Sequence, residues 1–160
     1  MCRVWGYSLG NEDEVATPAQ IARVLFPLLT KRGPHAYGWM TADGTKESKL
    51  TVAKFAGRAD TPLADERFDK IDPEARVMIA HTRYATLGSP LNMNNNHPMR
   101  HGNIVGVHNG VLRNHDEILA KTGRFRKNTQ VDSEAIFAAV NRWGHKKGLA
   151  KIDGDMVAVY

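Results

Sequence analysis

Met1-Cys2-Arg3-Val4-Trp5-Gly6-Tyr7-Ser8-Leu9 opens the chain, a thiol directly behind the initiator methionine and a strand-like run immediately after it. Cys2 is the sole cysteine of the 160 residues. Removal of Met1 makes it the terminal residue, so that a nucleophile and a free α-amine share one residue. Thiols titrate near ~8.5 and α-amines near ~7.7 to 8.0, so at neutral pH part of the amine is unprotonated and can take the thiol proton. The pair needs no histidine. A lone cysteine can equally be a small buried hydrophobe without chemistry, and position alone does not separate the two. A catalytic terminus also needs an anchor, and a strand over residues 4–9 supplies one.

Outward from this start, the composition is 42% hydrophobic and 24% charged, which fits one packed domain over residues 1–160. No apolar run approaches the ~20 residues that span a bilayer, and the first residues are too polar for a secretory signal, so a cytoplasmic location without membrane contact is expected. One cysteine excludes an internal disulfide and a cysteine-rich zinc site. His97 and His101 are four apart but share a loop with Pro98 and Gly102, so helical metal-ligand geometry is absent. No metal and no cofactor is expected. The net charge of +5 is concentrated in residues 121–127 and in His145, Lys146 and Lys147. Neither segment carries a nucleic-acid motif, so both read as solvated faces and nucleic acid is not expected as a partner.

Thr17-Pro18 predicts a helix start, with Ile21, Leu25, Leu28 and Leu29 on one face, a kink at Pro27 and a stop at Gly33. A hairpin follows, residues 37–41 against 48–55 around Asp43-Gly44. Residues 61–75 read as a surface connection with at most a short helix. Residues 76–81 are a buried strand, and 91–103 a loop. Asn109-Gly110 predicts a hairpin turn between residues 104–108 and 111–113. Residues 133–143 form a helix with Asp132 as its N-cap and Gly144 as its stop, and 156–160 a final strand. Strands grouped in hairpins with helices between them indicate an α+β layered fold.

If Cys2 attacks a carbonyl, donors must face the developing oxyanion. The Asn109 side-chain amide and the Gly110 N–H are candidates, and a tight turn is one way to fix them. Arg83, directly after a buried strand, is a planar fork suited to a carboxylate, or else a salt-bridged surface arginine. Asp132 is either a ligand for an ammonium or a plain helix cap. Together Arg83 and Asp132 would grip an α-amino acid. His97, behind Asn94, Asn95 and Asn96, is either a polar loop histidine or a substrate contact.

Six segments in order resemble the class II glutamine amidotransferases, whose glutaminase domains belong to the N-terminal-nucleophile hydrolases. They are MC at residues 1–2, KRGPHAYGW at 31–39, HTRYATLGSP at 81–90, NNNHPM at 94–99, HNGVLRNHDEI at 108–118 and VDSEAIFAAV at 131–140. The resemblance implies a layered αββα fold with antiparallel sheets. It implies that Cys2 attacks the side-chain amide of glutamine, releases ammonia and leaves a glutamyl thioester for water, with its own α-amine as base. Asn109 and Gly110 match the oxyanion hole, Arg83 the carboxylate ligand and Asp132 the ammonium ligand. Thr86 and His97 match further substrate contacts, and Tyr84 the aromatic position beside the arginine.

Two departures are visible. Leu87 stands where the sugar-phosphate synthases carry histidine, while HNGVLRN and NHP are closer to that type, so no sub-family follows. Members also continue beyond the strand matching 156–160, so the chain reads as short at that end. Most fuse the domain to a synthase, which implies glutamine as substrate and a separate acceptor protein as partner. The competing readings are an N-terminal-nucleophile amidohydrolase for another amide, and a non-catalytic regulatory protein on the same fold.

Overall fold

The structure is a computed structural model, and it describes residues 2–10, 16–45, 47–123 and 129–160. Met1, and with it the question of its removal, lies outside the described residues, as does most of the basic segment 121–127.

Strand alternation builds the first sheet. β1 (Arg3–Ser8), β2 (Ala36–Ala42), β3 (Thr51–Ala56) and β4 (Val77–Arg83) are antiparallel in the order β1-β4-β2-β3. Tyr37 and Trp39 of β2, Met78 and Ala80 of β4 and Trp5 and Tyr7 of β1 point to one face. There they meet Ala22 and Phe26 of α1 (Pro18–Thr30) and Ala64 and Phe68 of α2 (Pro62–Phe68). Phe26 is the hub, stacked on Phe68 at 5.1 Å and edge-on to Trp5 at 5.3 Å. The alternate residues, Val4, Met40, Ala42, Val77 and Ile79, face the other way and pack on Val105 and Val107 of the second sheet. Both faces of β2 are therefore covered, and every residue of it is buried.

The second sheet has the order β5-β6-β7, from β5 (Met99–His101), β6 (Ile104–Leu112) and β7 (Gly154–Val159). Its outer face carries α3 (His115–Lys121) and α4 (Glu134–Trp143), with α5 (His145–Leu149) packed on α4. Ile118, Leu119, Ile136 and Phe137 bury against Leu112 and Met99. The layers run helix, sheet, sheet, helix, which is the expected αββα arrangement. Among the described residues no helix is long and apolar enough to cross a membrane.

Local signals place α1 well. Thr17 and Gln20 form a reciprocal capping box, with Gln20 N–H donating to Thr17 Oγ1 at 3.3 Å and Thr17 N–H to Gln20 Oε1 at 2.8 Å. The helix continues past Pro27 and ends at Thr30, short of Gly33.

Three expectations need correction. Asn109-Gly110 is no turn: β6 runs unbroken through it, with Asn109 opposite Val157 and Gly110 opposite Met156. Pairing with a distant strand outweighs the local turn preference. Gly110 is needed for a different reason, since its φ is +149° and a Cβ there would collide with the Asp155 carbonyl. Asp132 is not the cap of α4: Ser133 holds that position, and the Asp132 carboxylate instead accepts the Leu112 N–H at 2.8 Å. The stretch 91–103, expected to be a loop throughout, carries β5 near its end, and its Asn95, Asn96 and His97 are buried around a short helical turn at Met93–Asn95. The stretch 61–75 holds the expected short helix, yet it also buries Phe68 and Ile71. α3 and α5 were not anticipated.

Phe26→Ala is expected to cost ~3–5 kcal/mol, read as a lower midpoint in urea unfolding, whereas exposed Val24→Ala on the same helix shifts it by under ~0.5 kcal/mol.

Candidate active site

Cys2 precedes β1 and, by strand alternation, shares the sheet-facing side of Val4. The register Arg3↔Thr82 then brings it beside the end of β4. The Tyr84 N–H donates to Cys2 Sγ at 3.3 Å, and the thiol points back at the Tyr84 carbonyl at 3.6 Å. Burial pushes the Cys2 thiol up, against the opposing pull of the Tyr84 hydrogen bond and the nearby Arg83 charge. A thiol raised in this way is protonated at neutral pH, so its use as a nucleophile requires a base.

Arg83 is 4% exposed, with its guanidinium turned into the loop that follows. Nη1 donates to Asn96 Oδ1 at 2.8 Å, and Nη2 donates to the Gly88 carbonyl at 3.0 Å and to the Leu87 carbonyl. Three of its five N–H groups are thus engaged within the chain. Both bidentate edges of a guanidinium include Nη2, so the two remaining N–H groups, on Nε and Nη1, lie apart and offer a ligand the charge and one bond each rather than the free fork expected from sequence.

Cys2, Arg83, Tyr84, Thr86, Leu87, His97, His108, Gly110, Val111, Val131, Asp132 and Ser133 line one cleft of about 80 Å³. Seven of the eight residues singled out from sequence therefore converge from five separate segments. Asn109 is the exception: it is half-buried on β6 next to Gly110 and does not line the cleft. Thr86 and Tyr84 are exposed at the mouth, whereas His97 is buried at its floor.

Sequence reasoning missed the two histidines that pack with His97. His81 and His97 ring centroids are 4.3 Å apart, and His97 and His108 6.4 Å. His81 Nε2 lies 3.0 Å from the His108 carbonyl oxygen, so it carries the proton and ties the two sheets together. His108 Nδ1 is 2.8 Å from Ser133 Oγ, and Ser133 makes no side-chain cap bond to α4. The motifs HTR and HNG held these residues in plain view, but only the alternation of β4 marks His81 as inward-facing. His81 Nδ1, both nitrogens of His97 and His108 Nε2 are buried without a hydrogen-bond partner among the described residues. Burial pulls His81 down to about 3, holds His97 well below the ordinary imidazole range and lowers His108. The cluster is neutral at pH 7. His101, the other half of the rejected metal pair, instead lies 3.4 Å from Glu134.

Comparison with known proteins gives the class. The family described as "Glutamine amidotransferase domain" matches residues 69–160, more than half of the chain. The chain belongs to this family, of the class II, N-terminal-nucleophile type. Glutamine–fructose-6-phosphate aminotransferase (isomerizing) of Wigglesworthia glossinidia brevipalpis is 39% identical over 122 residues, which cover 75% of this chain and 19% of that protein. The same-named protein of Thermococcus kodakarensis is 39% identical over 114 residues, covering 68% and 18%. The chain thus spans about a fifth of the length of these curated relatives. Two solved structures share the fold at 24% identity, each over 97% of this chain. Glutamine phosphoribosylpyrophosphate amidotransferase from B. subtilis, complexed with ADP and GMP, has a TM-score of 0.67 over 33% of its chain. The allosteric regulatory enzyme of purine biosynthesis has 0.71 over 34%.

The histidines set a pH dependence of stability. Because the His81 pKa is depressed on folding, the unfolded chain binds a proton between pH 6.5 and about 3 that the folded one does not, so stability falls as pH falls through that window. The loss is about 1 kcal/mol per pH unit for His81 alone, with His97 and His108 acting in the same direction. The urea midpoint should drop between pH 7 and pH 5, and less steeply in His81→Gln; a parallel profile in the variant would show that His81 does not contribute.

Proposed function

We propose that residues 1–160 form one glutaminase domain that hydrolyses the side-chain amide of glutamine. The observation that carries the reading is the position of the Cys2 sulfur in one cleft with Arg83, Gly110 and Asp132, groups that chemistry requires together and sequence holds far apart. With Met1 removed, the Cys2 α-amine takes the thiol proton and Sγ attacks the amide carbon. The oxyanion is met by the Gly110 N–H and, from beside the cleft, by the Asn109 side-chain amide. The amine passes the proton to the leaving nitrogen, the C–N bond breaks, and ammonia leaves a glutamyl thioester. Water then adds to the thioester, glutamate departs and the thiol regains its proton.

Arg83 faces the α-carboxylate and Asp132 the α-ammonium, while Thr86, His97 and Tyr84 complete the substrate contacts. The neutral state of His97 supports a hydrogen-bonding role rather than a charge beside the ammonium. A reducing compartment, the cytoplasm, keeps the single thiol free for this chemistry. The ammonia goes to an acceptor centre outside these residues, in a separate synthase protein. The curated relatives support an acceptor of some kind, since their names join glutamine to fructose-6-phosphate.

Ammonia release from glutamine tests the reading. Processed wild-type protein should release ammonia, with or without candidate acceptor proteins added, and Cys2→Ala should fall to background. Arg83→Lys should raise KM at least tenfold, because a point charge cannot reproduce the guanidinium's contacts with Leu87, Gly88 and Asn96. Equal release from Cys2→Ala would overturn the proposal.

A further inference from the structure

The two walls of the cleft come from segments far apart in sequence, Tyr84, Thr86 and Leu87 on one side and Val131, Asp132 and Ser133 on the other. Asn95 lies outside the lining and has no solvent exposure. Its Nδ2 donates to the Ser89 carbonyl at 3.0 Å and to Gln130 Oε1 at 3.1 Å, and its Oδ1 accepts the Gln130 N–H at 2.8 Å. A side-chain amide has two donor hydrogens and one oxygen, and here all three are engaged. Each bond ends on a segment that leads into one wall, Ser89 into the arginine loop and Gln130 into Val131-Asp132.

Gly88 closes the joint. Its φ is +69°, and a Cβ there would stand 2.6 Å from Asn95 Nδ2 and 3.0 Å from Gln130 Cβ, so only glycine lets the loop lie against the pair. The carbonyl of that glycine also accepts from Arg83 Nη2. Asn96 holds the same loop from the other end, its Oδ1 accepting from Arg83 Nη1 and its Nδ2 donating to the Pro90 carbonyl at 2.7 Å.

From this arrangement we infer that Asn95 is a positioning residue, pinning the arginine loop to the Asp132 segment and so fixing the span across which an α-amino acid is held. The inference rests on the glutaminase reading above. Cys2 and Gly110 are placed by the registers of β1 with β4 and of β6 with β7, in which Asn95 takes no part. Removing the pin therefore leaves the reacting groups in place and weakens the hold on the substrate's α-substituents. That separates affinity from chemistry.

The test measures glutamine hydrolysis and Cys2 alkylation in wild type, Asn95→Ala, Gln130→Ala and Gln130→Glu. Asn95→Ala is expected to raise KM about tenfold, ~1.4 kcal/mol, with kcat within about twofold. It should slow alkylation of Cys2 by a glutamine-analogue electrophile by about the same factor and leave alkylation by iodoacetamide, which lacks the α-groups, unchanged. A residue that merely supports folding would not divide the two reagents. Gln130 is exposed, so Gln130→Ala keeps the fold while losing one of the three bonds, and KM rises about threefold. Gln130→Glu retains the Oε1 acceptor and should stay within about twofold of wild type. Identical KM in wild type, Asn95→Ala and Gln130→Ala overturns the inference. Should Asn95→Ala not fold, equal KM in the two Gln130 variants overturns it. Absence of ammonia release from the wild type would instead sink the glutaminase reading, and the inference with it.

Discussion

The pairing of Arg3 with Thr82 is the constraint on which the site depends. Antiparallel register is quantised, and a slip of one residue would turn Val4 and Cys2 to the helix side and Trp5 and Tyr7 toward the second sheet. The aromatic cluster around Phe26 resists that slip, because Trp5 packs edge-on against Phe26 of α1 and would lose that contact. A hydrophobic core on one face of the sheet thus fixes the position of a thiol on the other. The short distance between Cys2 and the start of its strand leaves the chain terminus little freedom.

Polar burial is the second theme. The space between the sheets is apolar around Met40, Ile79 and Val107 and polar toward one end, where His81, Arg83, His97 and His108 collect. Unsatisfied buried polar atoms cost ~1–3 kcal/mol each, and four imidazole nitrogens here have no partner among the described residues. The surrounding loop behaves in the opposite manner, since Asn96 and Arg83 bond each other and nearby carbonyls, and Asn95 is satisfied by Ser89 and Gln130. The cleft therefore has a closely tied frame around an under-satisfied floor.

Much of this was legible in the sequence. Capping at Thr17, the hairpin of β2 and β3 and a buried strand over 76–81 follow from local patterns, although that strand runs on to Arg83, and the six ordered motifs carried the family. Seven of the twelve residues that line the cleft were also named, whereas Leu87, His108, Val111, Val131 and Ser133 were not, and Asn109 stands beside the cleft rather than in it. What failed were inferences that treated a local preference as final. Asn-Gly reads as a turn until a distant strand pairs with both residues, and Asp132 reads as a cap until its carboxylate finds the Leu112 N–H. The role of Asn95 was beyond reach for the same reason, since its two partners, Ser89 and Gln130, lie 6 and 35 residues away and nothing in a polar loop foretells them. Arg83 was expected directly after the strand and is its last residue, and its internal hydrogen bonds were not foreseeable from that position.

The most direct check of the account is the mass of the N-terminal peptide after exposure to a glutamine-analogue electrophile, with glutamine as competitor. The peptide should begin at Cys2, carry one analogue adduct on that residue and be protected by glutamine. A peptide that still begins at Met1, or an adduct that forms at the same rate with glutamine present, would contradict it.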